Sequence, residues 1–201
     1  MLQFDLAFST MALAGVFVLN TLSARRVQKI AENRLRYPYE PLPDLLHEKL
    51  PSIPTFVPDL LMLCIAVPVA AVGVVNGSES LYTPYVSLCA SLMLRALCCS
   101  CTIMPSCMPQ PSKQGQSLYA MLFLSTHDLM FSGHTIFMSF LGSTCFLIRT
   151  QSLLVHYILV STGAFLRFVL PLSLVAAKQH YTVDVIVAMI VYHACMLSFC
   201  R

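Results

Sequence analysis

The sequence predicts an all-α fold, a polytopic membrane bundle of about six transmembrane helices, and three observations carry that expectation. Of 201 residues, 57% are hydrophobic and only 10% charged, with a mean hydropathy of +0.75, whereas a soluble domain carries roughly 25% charged residues. The apolar residues gather in runs close to the roughly 20 that a helix needs to cross hydrocarbon. The segments between the runs are too short for a soluble domain, so residues 1–201 read as one membrane domain.

The first span runs from about Asp5 to Leu22. It has no basic leading region and no clear cleavage site, so it reads as a retained span. From Ser23 to Ser52 the chain is polar, with Arg25, Arg26, Lys29, Arg34 and Arg36 followed by PYEPLPDLLHEKLP. Prolines at 38, 41, 43 and 51 forbid one continuous helix there, because each removes a backbone donor and restricts the residue before it. An ordered loop or interfacial segment is expected. Span two, Phe56 to Val75, contains Pro58 and Pro68, which a bundle accommodates, and NGSES at 76–80 makes the turn. Span three, Tyr85 to Met104, contains Arg95, and a charge deep in an apolar segment is costly enough to mark a function or a partner. After the loop PSCMPQPSKQGQS, residues 118–148 are too long for one span. They divide into a short entering or re-entrant piece up to Phe131 and span four from Gly133 to Ile148. Span five, Leu153 to Ala176, carries His156 and Arg167, and span six runs from Tyr181 to Phe199.

The net charge of +3 is dispersed, without the basic stripe that tracks a nucleic-acid backbone, so no nucleic-acid partner is expected. Eight of the nine cysteines fall within apolar runs and read as packing residues; Cys107 lies in a loop. The CxxC at 98–101 has no second pair at zinc-site spacing, so neither a metal nor another cofactor is expected.

Two polar clusters stand at the edges of apolar runs. In HYTVD, His180 and Asp184 are four apart, on one face of a helix where the carboxylate can reach the imidazole. A carboxylate on Nδ1 would fix the tautomer and free Nε2 to attack; the same two residues could equally satisfy each other at a capped helix start. In FSGHT, Gly133 permits close backbone approach, and a helix beginning there aims free amides at an anion beside His134. The alternative is an N-cap Ser132 followed by an interfacial histidine. Span five starts where span four ends and returns to the side on which four began, so both clusters lie at the same membrane face. Two histidines meeting there, one oriented by a carboxylate, suit phosphoryl transfer, one attacking and the other protonating the departing oxygen.

These residues resemble the type 2 phosphatidic acid phosphatase (PAP2) superfamily and, within it, the sphingomyelin synthase branch. Asp128, Ser132, Gly133, His134 and Thr135 match its first element, and His180, Tyr181, Thr182, Asp184 and Val185 its second. PLPD at 41–44 is similar to the branch's proline motif, and Arg95, Thr102 and Pro105 to its third-span signature. The likeness covers about residues 41–200. It departs at Thr126 and His127, where the branch has Cys-Gly, at Glu40, where it has proline, and in a shorter loop after span three.

The resemblance implies a PAP2-like helical core and a head-group transferase that moves phosphocholine, or a related phospho-alcohol, from a phosphatidylcholine-like donor to a ceramide- or diacylglycerol-like acceptor, without a cofactor. It implies His180 as nucleophile, Asp184 as its orienter and His134 as acid, then base. Ser132, Gly133, Thr135, Tyr181 and Asp128 would line the donor site. Arg95, with Lys178 second, would supply the cation that a monoanionic diester needs. A choline group would call for Phe131, Tyr181, Tyr192 or Asp128. A lipid phosphate phosphatase is the alternative, but phosphatases of the superfamily add cations for a dianion, and Leu174 stands where their pattern has arginine. A non-catalytic lipid-binding protein is a third reading.

The segment 23–55 holds six of the twelve basic residues and shares the face of both clusters, so the positive-inside rule points the site at the cytosol. The NGS at 76–78 is a glycosylation acceptor only with a lumenal loop, the same orientation. An endomembrane or the plasma membrane is the expected location.

Overall fold

The computed structural model describes residues 6–34, 41–75, 81–107 and 130–200. Among them are seven helices and no strand: α1 (Leu6–Arg34), α2 (Leu45–Lys49), α3 (Phe56–Val75), α4 (Tyr82–Cys101), α5 (Gly133–Leu147), α6 (Leu153–Ala176) and α7 (Thr182–Phe199). The turn at 76–80, the loop beyond Cys107 and the entering piece up to residue 129, with Asp128, Thr126 and His127, lie outside the described residues.

Among the described residues, four helices are long and apolar enough to cross a membrane: Phe56–Gly73, Tyr82–Cys101, Leu153–Ala176 and Thr182–Phe199. Their outward faces are greasy, with Leu153, Leu154, Phe168, Ile190 and Leu197 exposed, as lipid-facing side chains are. The chain is therefore an all-α, polytopic membrane bundle. At 15 residues, α5 measures about 22 Å, short of the hydrocarbon thickness.

One boundary expected from the sequence is corrected. The first helix does not stop near Leu22 but continues through SARRVQKIAENR to Arg34. No proline intervenes before Pro38, the inserted residues are mostly good helix formers, and Ala24, Val27 and Ala31 bury themselves every three to four residues. That spacing is one helix face, and α1 lies along α4.

Helix α5 is sandwiched between two cores. On one side Met138, Leu141 and Cys145 meet Val69 of α3 and Leu159, Leu166, Leu170 and Leu174 of α6. On the other, Phe131 and Ile136 meet Val16 of α1, Leu88 and Leu92 of α4, and Ala188 and Tyr192 of α7. Lipid is as apolar as leucine, so close packing rather than hydrophobic expulsion must hold such helices together. The α5–α6 crossing shows how: a Cβ on Gly163 would stand 3.0 Å from the Gly142 carbonyl oxygen and 3.1 Å from Cys145 Cβ.

Within α6 the regular ladder is interrupted. Phe165–Val169 forms a π turn, and Leu170 N–H reaches back five residues to the Phe165 carbonyl. Pro171 follows at once; lacking an N–H, it cannot continue the ladder, and the wider turn absorbs the fault. The helix then ends in a Schellman-type cap, with Gln179 N–H on the Leu174 carbonyl at 3.0 Å and Lys178 N–H on Val175 at 2.9 Å. Lys178 takes the left-handed conformation, φ 54°, usually left to glycine.

Candidate active site

The starts of α3, α5 and α7 and the last turns of α4 converge at one end of the bundle. Ser132 caps α5, its Oγ accepting Thr135 N–H at 3.2 Å, while its own N–H donates to the Asp184 carbonyl at 3.2 Å. This backbone bond joins the two polar clusters directly. The His134 and His180 rings come to a centroid distance of 6.0 Å, tilted by 59°. His134 and His180, 46 positions apart, close into one site, as a span pair returning to the same face requires.

His180 is buried, and its Nδ1 has no hydrogen-bond partner among the described residues. Asp184 Oδ2 stands 4.0 Å from that nitrogen, outside hydrogen-bond range, and accepts Tyr181 N–H at 3.1 Å instead. The four-residue spacing thus gives proximity, while the carboxylate also caps its own helix. Burial first, then the neighbouring His134 and Arg95, push the His180 imidazolium well below the usual histidine range, so the ring is neutral near pH 7 and a lone pair is free for nucleophilic use.

Arg95 is buried under the start of α5. Its Nε donates to the Phe131 carbonyl at 2.9 Å and its Nη1 to Asn20 Oδ1 at 3.1 Å; Asn20 in turn donates to the Leu92 carbonyl at 2.9 Å. A Cβ on Gly133 would meet Arg95 Nε at 3.2 Å. The close approach that Gly133 permits is therefore by this guanidinium. Thr135 is wholly buried, with Oγ1 lacking a hydrogen-bond partner among the described residues. Tyr181 is a peg: its hydroxyl donates to the Pro105 carbonyl at 3.1 Å and accepts Leu42 N–H at 3.0 Å. Lys178 is half-buried two residues before His180. Leu174 is fully buried in the core, so that position brings no cation to the site.

Sequence reasoning missed three side chains. Asp59, in the first turn of α3, has its Oδ1 3.4 Å from His134 Nε2. Arg167 donates to Ser143 Oγ at 2.6 Å and lies 4.8 Å over the Phe146 ring. Asp44 of the PLPD segment caps α2 through Leu46 and His47 N–H and also accepts Thr182 N–H at 2.6 Å and Thr182 Oγ1 at 2.7 Å. His47 Nε2 donates to the His180 carbonyl at 3.0 Å and its ring stacks on Tyr181 at 5.7 Å. For Asp44 the signal was the PLPD likeness; for His47 and Asp59 nothing in the spacing pointed to the site. His156 and His193 keep local contacts, with Tyr157 and the Met189 carbonyl. Burial pushes the Cys107 thiol up to about 12, leaving it protonated beside Tyr181.

Residues 126–200 match the PAP2 superfamily C-terminal model. The match makes this part of the chain similar to the PAP2 superfamily and takes in His134, His180 and Asp184 together with α5, α6 and α7. A PAP2 enzyme acts on lipids as a phosphatase or phosphotransferase, and that is the class of activity the match supports. Comparison with curated proteins gives no match.

Proposed function

We propose that the protein is a lipid head-group transferase of the sphingomyelin synthase type, carrying phosphocholine or a related phospho-alcohol from a glycerophospholipid to ceramide or a similar lipid alcohol. The observation that supports it best is the 6.0 Å approach of the His134 and His180 rings at the polar end of an apolar bundle. In the first half-reaction, neutral His180, with its proton on Nδ1 toward Asp184, attacks phosphorus through Nε2. The bond from phosphorus to the glycerol oxygen breaks, His134 gives that oxygen a proton, and diacylglycerol leaves. In the second, His134 takes the proton of the acceptor hydroxyl, the new oxygen–phosphorus bond forms and the phosphorus–nitrogen bond breaks, restoring His180. Arg95, Lys178, Ser132, Gly133, Thr135, Tyr181 and Asp128 are the residues we assign to donor binding. We count six spans, adding α1 and α5 to the four apolar helices, in a single membrane domain. Its location is an endomembrane or the plasma membrane.

Purified protein in liposomes with labelled phosphatidylcholine and ceramide tests this. Labelled sphingomyelin and diacylglycerol, both lost in His180→Ala, are the expected products. Free phosphate released from phosphatidic acid, with no transfer, would replace the reading by a lipid phosphatase. Inactivity across varied donors and acceptors would leave a lipid-binding protein.

A further inference from the structure

Asp59 has no place in the scheme above, yet its position is unusual. It sits in the first turn of α3, a helix whose Phe56, Leu60, Leu63 and Val67 are exposed toward lipid. Its Oδ1 is buried, makes no hydrogen bond among the described residues, and points at His134 Nε2 from 3.4 Å. An acid in a first helical turn gains something from the helix dipole, but that would not require a buried oxygen aimed at an imidazole.

We propose that Asp59 is the positioning residue of His134, so that the site holds two imidazole–carboxylate pairs, one for each histidine. Asp59 holds the His134 proton on Nε2, and Nδ1 becomes the nitrogen that exchanges a proton with the lipid oxygen. The ring nitrogens then divide their tasks oppositely: His180 works through Nε2 with its carboxylate on the Nδ1 side, and His134 works through Nδ1 with its carboxylate on the Nε2 side. The separation is long for a hydrogen bond, as such contacts commonly are before substrate arrives. Among the described residues, the charged or titratable groups near His134 include Asp59 from α3, Arg95 from α4 beside Gly133, and the neutral His180 following α6.

The pairing itself does not depend on the transferase reading; only its kinetic consequence rests on that reading, so two measurements are needed. Nitrogen-15 shifts of the His134 ring in nanodiscs report the tautomer without any turnover. The wild type should show Nε2–H, and Asp59→Asn, nearly isosteric, should lose that preference. A wild-type ring protonated on Nδ1, or an identical pattern in the variant, overturns the proposal. In liposomes, Asp59→Asn should lower the transfer rate at saturating donor on the order of 10- to 100-fold with little change in KM, and Asp59→Glu should restore part of it. Combining Asp59→Asn with His134→Gln should cost no more than His134→Gln alone, because Asp59 acts through the ring. Additive losses would assign Asp59 a merely structural role. A wild type with the Nε2–H tautomer but no lipid turnover would keep the pairing and refute the transferase.

Discussion

Asp44 is the joint by which the PLPD segment holds the start of α7 beside His180, and its removal has a calculable effect. Oδ1 accepts Leu46 N–H at 3.0 Å and His47 N–H at 3.3 Å, which caps α2, and both oxygens bind Thr182, the first residue of α7. Loss of an N-cap costs about 1 kcal/mol, and a hydrogen bond to a charged group about 1.5–3 kcal/mol. Asp44 is half-exposed, so the lower end applies, and Asp44→Ala should destabilise by about 2–3 kcal/mol. Asp44→Asn keeps an oxygen for the α2 cap but turns an amide toward Thr182 N–H, and should forfeit about 1–2 kcal/mol. Unfolding in detergent, followed by helical signal, gives these differences. Modification of His180 by an imidazole-directed reagent gives the local consequence, since the buried ring should become reactive when its tether to Asp44 and His47 is cut. Burial acts to raise the Asp44 carboxyl, but the bonds from Thr182, Leu46 and His47 prevail and hold it below its usual range. The folded value being depressed, the contribution is complete above the unfolded value of about 3.9 and fades only as pH falls below it. Asp44→Ala that unfolds like the wild type, with His180 still protected, would refute the reasoning.

Gly163→Ala should loosen the α5–α6 crossing by about 1–3 kcal/mol, because its methyl meets the Gly142 carbonyl oxygen, Cys145 Cβ and Phe146 Cζ at 3.0–3.1 Å; unchanged unfolding would show that the helices simply part. Lys178→Gly relieves a left-handed residue and should leave stability unchanged or improve it by up to about 1 kcal/mol. Slower transfer by that stable variant would mark the lost ammonium as functional, whereas a wild-type rate would remove Lys178 from donor binding. Because His180 stays neutral below its usual range, phosphohistidine trapped in a rapid quench should not halve between pH 8 and about 6.5 through this residue. A His180→Asn control locates the label, and a midpoint near 6.5 that belongs to the nucleophile would contradict its burial. The same burial lowers stability in acid: as pH falls below about 6.5 the unfolded chain takes up a proton that the folded one refuses.

The bundle was legible because lipid demands long apolar runs: Phe56–Val75 and Leu153–Ala176 appear at the residues their composition marks. The second half of α1 was hidden because charged residues look like a loop until Val27 and Ala31 are seen turned to one face. In the site, local spacing revealed what one turn of helix can show, the His180–Asp184 neighbourhood. It overstated the bond between them, because Asp184 is held by the Tyr181 amide. Contacts such as Asp59 with His134, or Asp44 with Thr182, join residues 75 and 138 positions apart, and no periodicity encodes them. Only the PLPD likeness hinted that its segment belonged near the site.

The π turn in α6 makes the angular setting of the site a matter of counting. One surplus peptide between Phe165 and Val169 swivels everything downstream by about 100° relative to a regular helix. That includes the turn from Lys178 to His180. Deleting a single residue there would straighten the ladder and aim the imidazole of His180 away from its counterpart. The fault in the helix is thus a dial, and the chain is long by one at the place where the bearing of His180 is set.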